Sequence, residues 1–274
     1  MDQIPVKTQL GSFAGALLAP VFPIRSEQLE KGHRDASNLI DRLIISASKW
    51  QAMQFRDDVA LRKMHRRFWK GKRGAALLEK TEWRFQEWFL KDHAVVLRWL
   101  DRQLNADRVG HNRIVELGCG TGMLCQHMLR TFSNMDTVLG VDLNALTIES
   151  NSRRTTDDDL HFVNDDLMNW VRYGLEDGDV LVTNGGVLEY LDPAALRLFF
   201  DTLAKKKHLI LVLVEPIAEG HDADFGPMTT VFGYERSFSH SLPRYLSRAG
   251  FNILQKDSSI TGGFNWQMLL ASNL

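Results

Sequence analysis

Arg113-Ile114-Val115-Glu116-Leu117-Gly118-Cys119-Gly120-Thr121-Gly122-Met123 is the stretch that decides the fold. Ile114 and Val115 are β-branched and apolar, which suits a buried strand. Three glycines then alternate at Gly118, Gly120 and Gly122, and Leu124 to Arg130 reads as a helix. Strand, glycine turn and helix start together bring a nucleotide-like ligand against the main chain, with the free N–H groups of the helix start facing it. The spacing is not that of a dinucleotide fingerprint. In G-x-G-x-x-G the third glycine stands five residues after the first, a place held here by Met123. Acidic Glu116 before the turn would also repel a pyrophosphate.

Glu116-Leu117-Gly118-Cys119-Gly120-Thr121-Gly122 closely resembles motif I of the class I S-adenosylmethionine-dependent methyltransferases, small-molecule type. In that family the loop cradles the zwitterionic methionine part of the cofactor, and an acidic neighbour is welcome there. The resemblance implies S-adenosylmethionine as cofactor and S-adenosylhomocysteine as product.

Later segments extend the likeness. Thr137–Val141 reads as a second strand, followed by Asp142 and Leu143. Asp142 lies 20 residues after Gly122, where a carboxylate can accept hydrogen bonds from both ribose hydroxyls. Asn144 is the expected cap of the next helix. After a third strand at Leu160–Val163 come Asp165, Asp166 and Leu167. The family often has an acidic residue followed by an apolar one here, contacting the adenine, and Asp166–Leu167 fits that register better than Asp165. The fourth strand, Asp179–Thr183, ends in Asn184-Gly185-Gly186 and then Val187-Leu188-Glu189-Tyr190-Leu191. This resembles the fourth motif of small-molecule methyltransferases, with Tyr190 replacing the common histidine. Base-methylating relatives usually carry an Asn/Asp/Ser-Pro-Pro-aromatic tetrad at this point, and this chain does not. The implied cofactor residues are therefore Glu116, Gly118, Cys119, Gly120, Gly122, Asp142, Leu143, Asp165, Asp166, Leu167, Asn184 and Gly185.

A fifth, wholly apolar strand at Leu209–Val214 suits the centre of a parallel sheet. It is followed by Glu215 and by a stretch, Ile217 to Ser239, that reads as irregular and in the family lies over the acceptor. An oxygen acceptor usually needs a base, and His221, His240 and Glu215 are the candidates near this rim. Phe251–Lys256 and Trp266–Ala271, joined through Gly262-Gly263, complete the sheet. The expected fold is Rossmann-like: a mostly parallel seven-stranded sheet with a C-terminal antiparallel hairpin, flanked by helices.

Charge divides the chain. Residues 1–110 carry 20 Lys and Arg against 13 Asp and Glu; residues 111–274 carry 13 against 21. The shift supports an N-terminal region, 1–109, and a cofactor-binding domain, 110–274. Residues 1–25, with three prolines, read as an irregular arm. From Asp35 to Leu104 the apolar spacing is helical, with Ala75–Leu104 as one long or two shorter helices. This all-helical region is expected to cap the substrate side. Within it Arg62, Lys63, Arg66, Arg67, Lys70, Lys72 and Arg73 crowd around His65, Phe68 and Trp69. Such a span suits a solvated helix face, an anionic small substrate or, less well, nucleic acid.

The two cysteines, Cys119 and Cys125, offer neither a disulfide framework nor a metal site, and a reducing, cytoplasmic setting fits. The apolar run Leu10–Ala19 is too short to span a bilayer. The reading that results is methyl transfer to an oxygen or nitrogen of a small, anionic metabolite. Alternatives are an RNA or protein methyltransferase using the basic span, and a cofactor-binding member without activity. Aromatics on the helical region would allow a homodimer.

Overall fold

A computed structural model describes residues 6–31, 36–106 and 110–274. Helices α1 (Val6–Leu18), α2 (Pro23–Lys31), α3 (Leu39–Gln54), α4 (Asp58–Lys70) and α5 (Lys72–Lys80) come first. A π-helical segment, Phe85–His93, leads into α6 (Val95–Ala106). The alternating part follows: β1 (Arg113–Leu117), α7 (Met123–Thr131), β2 (Thr137–Asp142), α8 (Ala145–Arg154), β3 (Leu160–Asn164), α9 (Leu167–Tyr173) and β4 (Val180–Asn184). A 3₁₀ turn at Leu188–Tyr190 precedes α10 (Pro193–Leu203) and β5 (Ile210–Ile217). A small hairpin of β6 (Thr229–Phe232) and β7 (Ser237–His240), then α11 (Leu242–Arg248), β8 (Asn252–Thr261) and β9 (Phe264–Ser272) complete the order.

The seven-stranded sheet runs β3-β2-β1-β4-β5-β9-β8. The first five strands are parallel, and β9 pairs antiparallel with both β5 and β8. Successive strand residues point to opposite faces. Ile114, Val138, Val180 and Val212 thus pack with α6, α7 and α8, while Val115, Leu181 and Leu211 pack with α9, α10 and α11. Helices on both faces explain the unbroken apolar runs Val180–Val182 of β4 and Ile210–Val214 of β5. The strand order reverses between β1 and β4, which opens a crevice at their carboxyl ends.

The structure changes three sequence expectations. The N-terminal arm, where described, is helical: α1 and α2 occupy residues read as irregular. Glycine lowered the helical signal there, but it serves close packing, since a Cβ on Gly15 would lie 1.9 Å from the Leu43 carbonyl oxygen. Ala75–Leu104 is divided among α5, the π-helical segment and α6, and α6 belongs to the layer covering the sheet. The stretch from Ile217 to Ser239 contains the β6–β7 hairpin, whose Phe238 packs with Ala52 and Leu61 of the N-terminal helices. Asp35, the expected start of the helical region, lies outside the described residues. Among the described residues, no helix is long and apolar enough to cross a membrane.

One ion pair secures the sheet at the end opposite the crevice. Arg113 donates from Nε and Nη2 to the two oxygens of Asp179, each at 2.7 Å, and Asp179 is 2% exposed. Removing one partner of such a buried pair leaves an uncompensated charge. Arg113→Ala is expected to lower the unfolding free energy by about 3–5 kcal/mol, measured by urea denaturation. A loss below about 1 kcal/mol would mean that the pair behaves as a solvated surface contact.

Candidate functional site

The crevice is a cavity of about 530 Å³ between the carboxyl ends of the parallel strands and the N-terminal helices. Its floor is the glycine turn. Gly118, Gly120 and Gly122 all have positive φ (72, 49 and 74°), backbone that favours glycine. A Cβ on Gly118 would lie 2.6 Å from Val187 Cγ2, so the turn can pack against the loop after β4 only without one. The turn is braced from two sides. Asn151 of α8 donates to the Gly120 carbonyl at 2.8 Å, and the Gly120 N–H donates to Asp142 Oδ2 at 3.0 Å. The second oxygen of Asp142 accepts the Asn144 N–H at 2.8 Å. Burial raises the Asp142 pKa against the pull of these N–H donors.

Eleven of the twelve residues singled out for the cofactor meet on this cavity: Glu116, Gly118, Cys119, Gly120, Asp142, Leu143, Asp165, Asp166, Leu167, Asn184 and Gly185. Gly122 stands behind them as the N-cap of α7, facing the Phe162 ring. Asp166 also caps α9, accepting the Met168 N–H at 3.0 Å, and its other oxygen accepts from Arg66 Nε at 2.8 Å. Glu116 is 3% exposed and accepts the Cys125 thiol hydrogen at 2.9 Å. Burial pushes its pKa up to about 8 despite that hydrogen bond.

The three candidate bases are not on the cavity wall. His221 uses both ring nitrogens: Nε2–H donates to the Pro227 carbonyl at 2.8 Å and Nδ1 accepts from the Ser239 hydroxyl at 2.6 Å. Both contacts turn the ring toward the hairpin and away from the cavity lining. His240 is buried between Thr229 Oγ1 and the Leu191 carbonyl, and burial lowers its pKa to about 3. Glu215 accepts the Val187 and Leu188 N–H groups at 2.9 and 3.0 Å and so shapes the turn after β4. All three fell near the rim in sequence, but their side chains serve the scaffold.

Sequence reasoning missed the opposite wall. Glu189 and Tyr190 of the 3₁₀ turn, Glu235 at the tip of the β6–β7 hairpin, and Trp69, Arg84 and Trp88 of the N-terminal helices all line it. Glu189 stood within a quoted motif phrase, so its position was available; Glu235 carried no local signal. Tyr190 donates its hydroxyl to Glu235 Oε2 at 3.1 Å. Burial, with the charges of Glu235 and Glu215 adding, pushes the Glu189 pKa up to about 8.

The basic span forms the joint between the N-terminal helices and the sheet. Arg62 pairs with Asp192 at 3.1 Å and Arg66 with Asp166 at 2.8 Å. Arg67 donates to the Leu29 carbonyl and Arg73 to that of Ala36. Asn144, while capping α8, donates to the carbonyls of Trp69 and Gly71 at 2.6 and 3.0 Å.

A methyltransferase-domain family model matches residues 114–206. The fold resembles magnesium protoporphyrin IX methyltransferase from Synechocystis PCC 6803 with bound S-adenosylhomocysteine. The TM-score is 0.55 at 14% identity, covering 77% of this chain and 98% of that one. It also resembles an S-adenosylmethionine-dependent methyltransferase from Clostridium acetobutylicum, with a TM-score of 0.51 at 13% identity, covering 72% and 98%. No curated protein matches the sequence. Residues 114–206 thus match a methyltransferase domain, and the chain has the fold of these S-adenosylmethionine-dependent methyltransferases.

Because Glu116 holds its proton more tightly in the folded protein than in the unfolded chain, raising the pH costs stability. The loss begins near the ordinary glutamate value and is complete above about 8. Glu116→Gln removes it. Between about pH 5 and 8 the variant's unfolding free energy is expected to fall less steeply than that of the natural protein, by on the order of 1 kcal/mol per pH unit. Urea unfolding across that range checks this; equal slopes would show that Glu116 ionises freely in the fold.

Proposed function

We propose that this methyltransferase transfers the methyl group to an oxygen or nitrogen of a small-molecule acceptor enclosed between residues 110–274 and the helices of residues 1–109. One observation carries the reading: the cavity is continuous from the glycine turn to the wall formed by Glu189, Tyr190 and Glu235. A cofactor at one end therefore meets an acceptor at the other without a nucleic-acid groove between them. The arginines that would have served an extended anion are spent on Asp192 and Asp166.

The residues present fit the cofactor. The turn at Gly118 and Gly120 has room for a ligand against the backbone, and Asp142 retains acceptor capacity on both oxygens. In this reading Glu116 meets the cofactor's amino group, Asp142 the ribose hydroxyls, and Asp165 or Asp166 with Leu167 the adenine. Leu143, Cys119, Asn184 and Gly185 complete the walls. A cation arriving at Glu116 favours its carboxylate form. When bound, the cofactor supplies an electrophilic sulfonium methyl group. The protein's own work is then alignment of the acceptor and exclusion of water, which the N-terminal helices support by covering the crevice.

Calorimetric titration with S-adenosylmethionine, S-adenosylhomocysteine and NAD tests the cofactor half. Saturable binding of the two sulfur nucleotides is expected, with none of NAD. Asp142→Ala is expected to weaken that binding by about ten- to a hundredfold, the worth of a charge-assisted hydrogen-bond pair. Failure of either sulfur nucleotide to bind the folded protein would remove the reading.

A further inference from the structure

The wall opposite the glycine turn is built with unusual care for one side chain. Glu235 sits in the turn of the β6–β7 hairpin, and the whole N-terminal region holds that turn. Its carbonyl accepts from His65 Nε2 at 2.9 Å and from Lys49 Nζ at 3.2 Å. The next residue, Arg236, is 1% exposed and has a positive φ of 56°. Its guanidinium donates to the Ser46 carbonyl at 2.7 Å and to Ser12 Oγ at 2.6 Å. Four contacts from α1, α3 and α4 thus fix a carboxylate-bearing turn over the cavity.

What that carboxylate faces is equally specific. Tyr190 donates to it, and the Tyr190 ring is held edge-on by His65 at 5.2 Å and by Trp69 at 5.4 Å. Glu189 stands beside Tyr190 within Coulombic reach of Glu235. Trp88 and Phe264, rings 6.5 Å apart, supply an apolar wall. Arg62 and Arg66 on the same cavity are paired elsewhere. Arg84, also on the cavity, has its guanidinium 4.6 Å over the Trp88 ring and lies within Coulombic reach of Glu235, so it offsets part of that charge but does not figure among the charges acting on Glu189.

We propose that the acceptor is an amine on an aromatic or apolar body, seated against Trp69, Trp88 and Phe264 with its nitrogen between Glu189 and Glu235. This rests on the methyl-transfer reading of the same cavity. Carboxylates among aromatic faces attract an organic cation, whereas a carboxylate or phosphate acceptor would be brought against the carboxyl groups of Glu189 and Glu235. The amine arrives as an ammonium ion, whose charge favours the carboxylate form of Glu189 that burial otherwise disfavours, and it gives one proton to that carboxylate. The freed nitrogen lone pair forms the N–C bond to the methyl group as the C–S bond breaks, its electron pair passing to sulfur. The product leaves as the methylammonium ion, and the proton on Glu189 returns to solvent. The groups facing Glu189 are Glu235, Glu215 and Tyr190. With burial they make it a stronger base than an ordinary glutamate.

Calorimetry on the protein saturated with S-adenosylhomocysteine tests this with benzylamine, benzyl alcohol and benzoate, three probes of similar shape. Benzylamine is expected to bind at least about tenfold more tightly than either of the others. Glu189→Gln and Glu235→Gln should each cut that preference about tenfold while leaving S-adenosylhomocysteine affinity unchanged, which shows that the fold survives. Benzoate or benzyl alcohol binding as well as the amine would overturn the proposal. So would a preference retained in both variants, or no binding of any probe. Loss of S-adenosylhomocysteine binding in the unaltered protein would instead count against the cofactor reading beneath it.

Discussion

A turn that admits no Cβ governs how the rest of this molecule is put together. Gly118 brings the end of β1 against Val187, so the loop after β4 lies against the glycine turn. That contact fixes the 3₁₀ turn carrying Glu189 and Tyr190 relative to the glycine turn carrying the cofactor-side N–H groups. Asp142 and Asn151 then lock the turn from the neighbouring strand and helix through Gly120. A side chain at Gly118 would push against the Val187 side chain and so disturb both the glycine turn and the loop that Glu215 holds through the Val187 and Leu188 N–H groups.

Around that turn the polar side chains do paired duties. Asp192 caps α10 with one oxygen and receives Arg62 of α4 with the other. Asp166 caps α9 and receives Arg66. Asn144 caps α8 and holds the carbonyls at the end of α4. Each cap satisfies helix N–H groups that would otherwise be unpartnered, and each also docks the N-terminal helices onto the sheet. Their basic character thus has a structural use: arginines meet the carboxylates that start α9 and α10.

The sheet was legible in the sequence because its signals are local. β-branched runs end in glycine or acid at fixed intervals, and the seven strands form where those runs stand. The grouping of the residues proposed for the cofactor has the same origin, since they stand at or just beyond the ends of β1, β2, β3 and β4. The acceptor side was not legible, for a physical reason. Glu235 reaches the cavity only because a hairpin turn with two positive-φ residues, Gly233 and Arg236, bends it inward and α1, α3 and α4 hold it there. None of that is encoded within a few residues of Glu235. The histidines misled for the converse reason. His221 and His240 lie near the rim in sequence, yet Ser239, Pro227, Thr229 and Leu191 absorb their ring nitrogens.

The grip of Ser12 on Arg236 joins residues 224 positions apart in the chain. A contact of that span forms only after most of the polypeptide is in place, and closing so long a loop is slow relative to local helix formation. The N-terminal helices can meet one another earlier, since Ser12 of α1 already bonds Ser46 of α3. The hydrogen bond to Arg236 then joins that group to a hairpin near the far end of the chain, while α6 carries it onto the face of the sheet. The wall over the crevice is thus a seam between the two ends of the chain, made by contacts that no local segment can form alone.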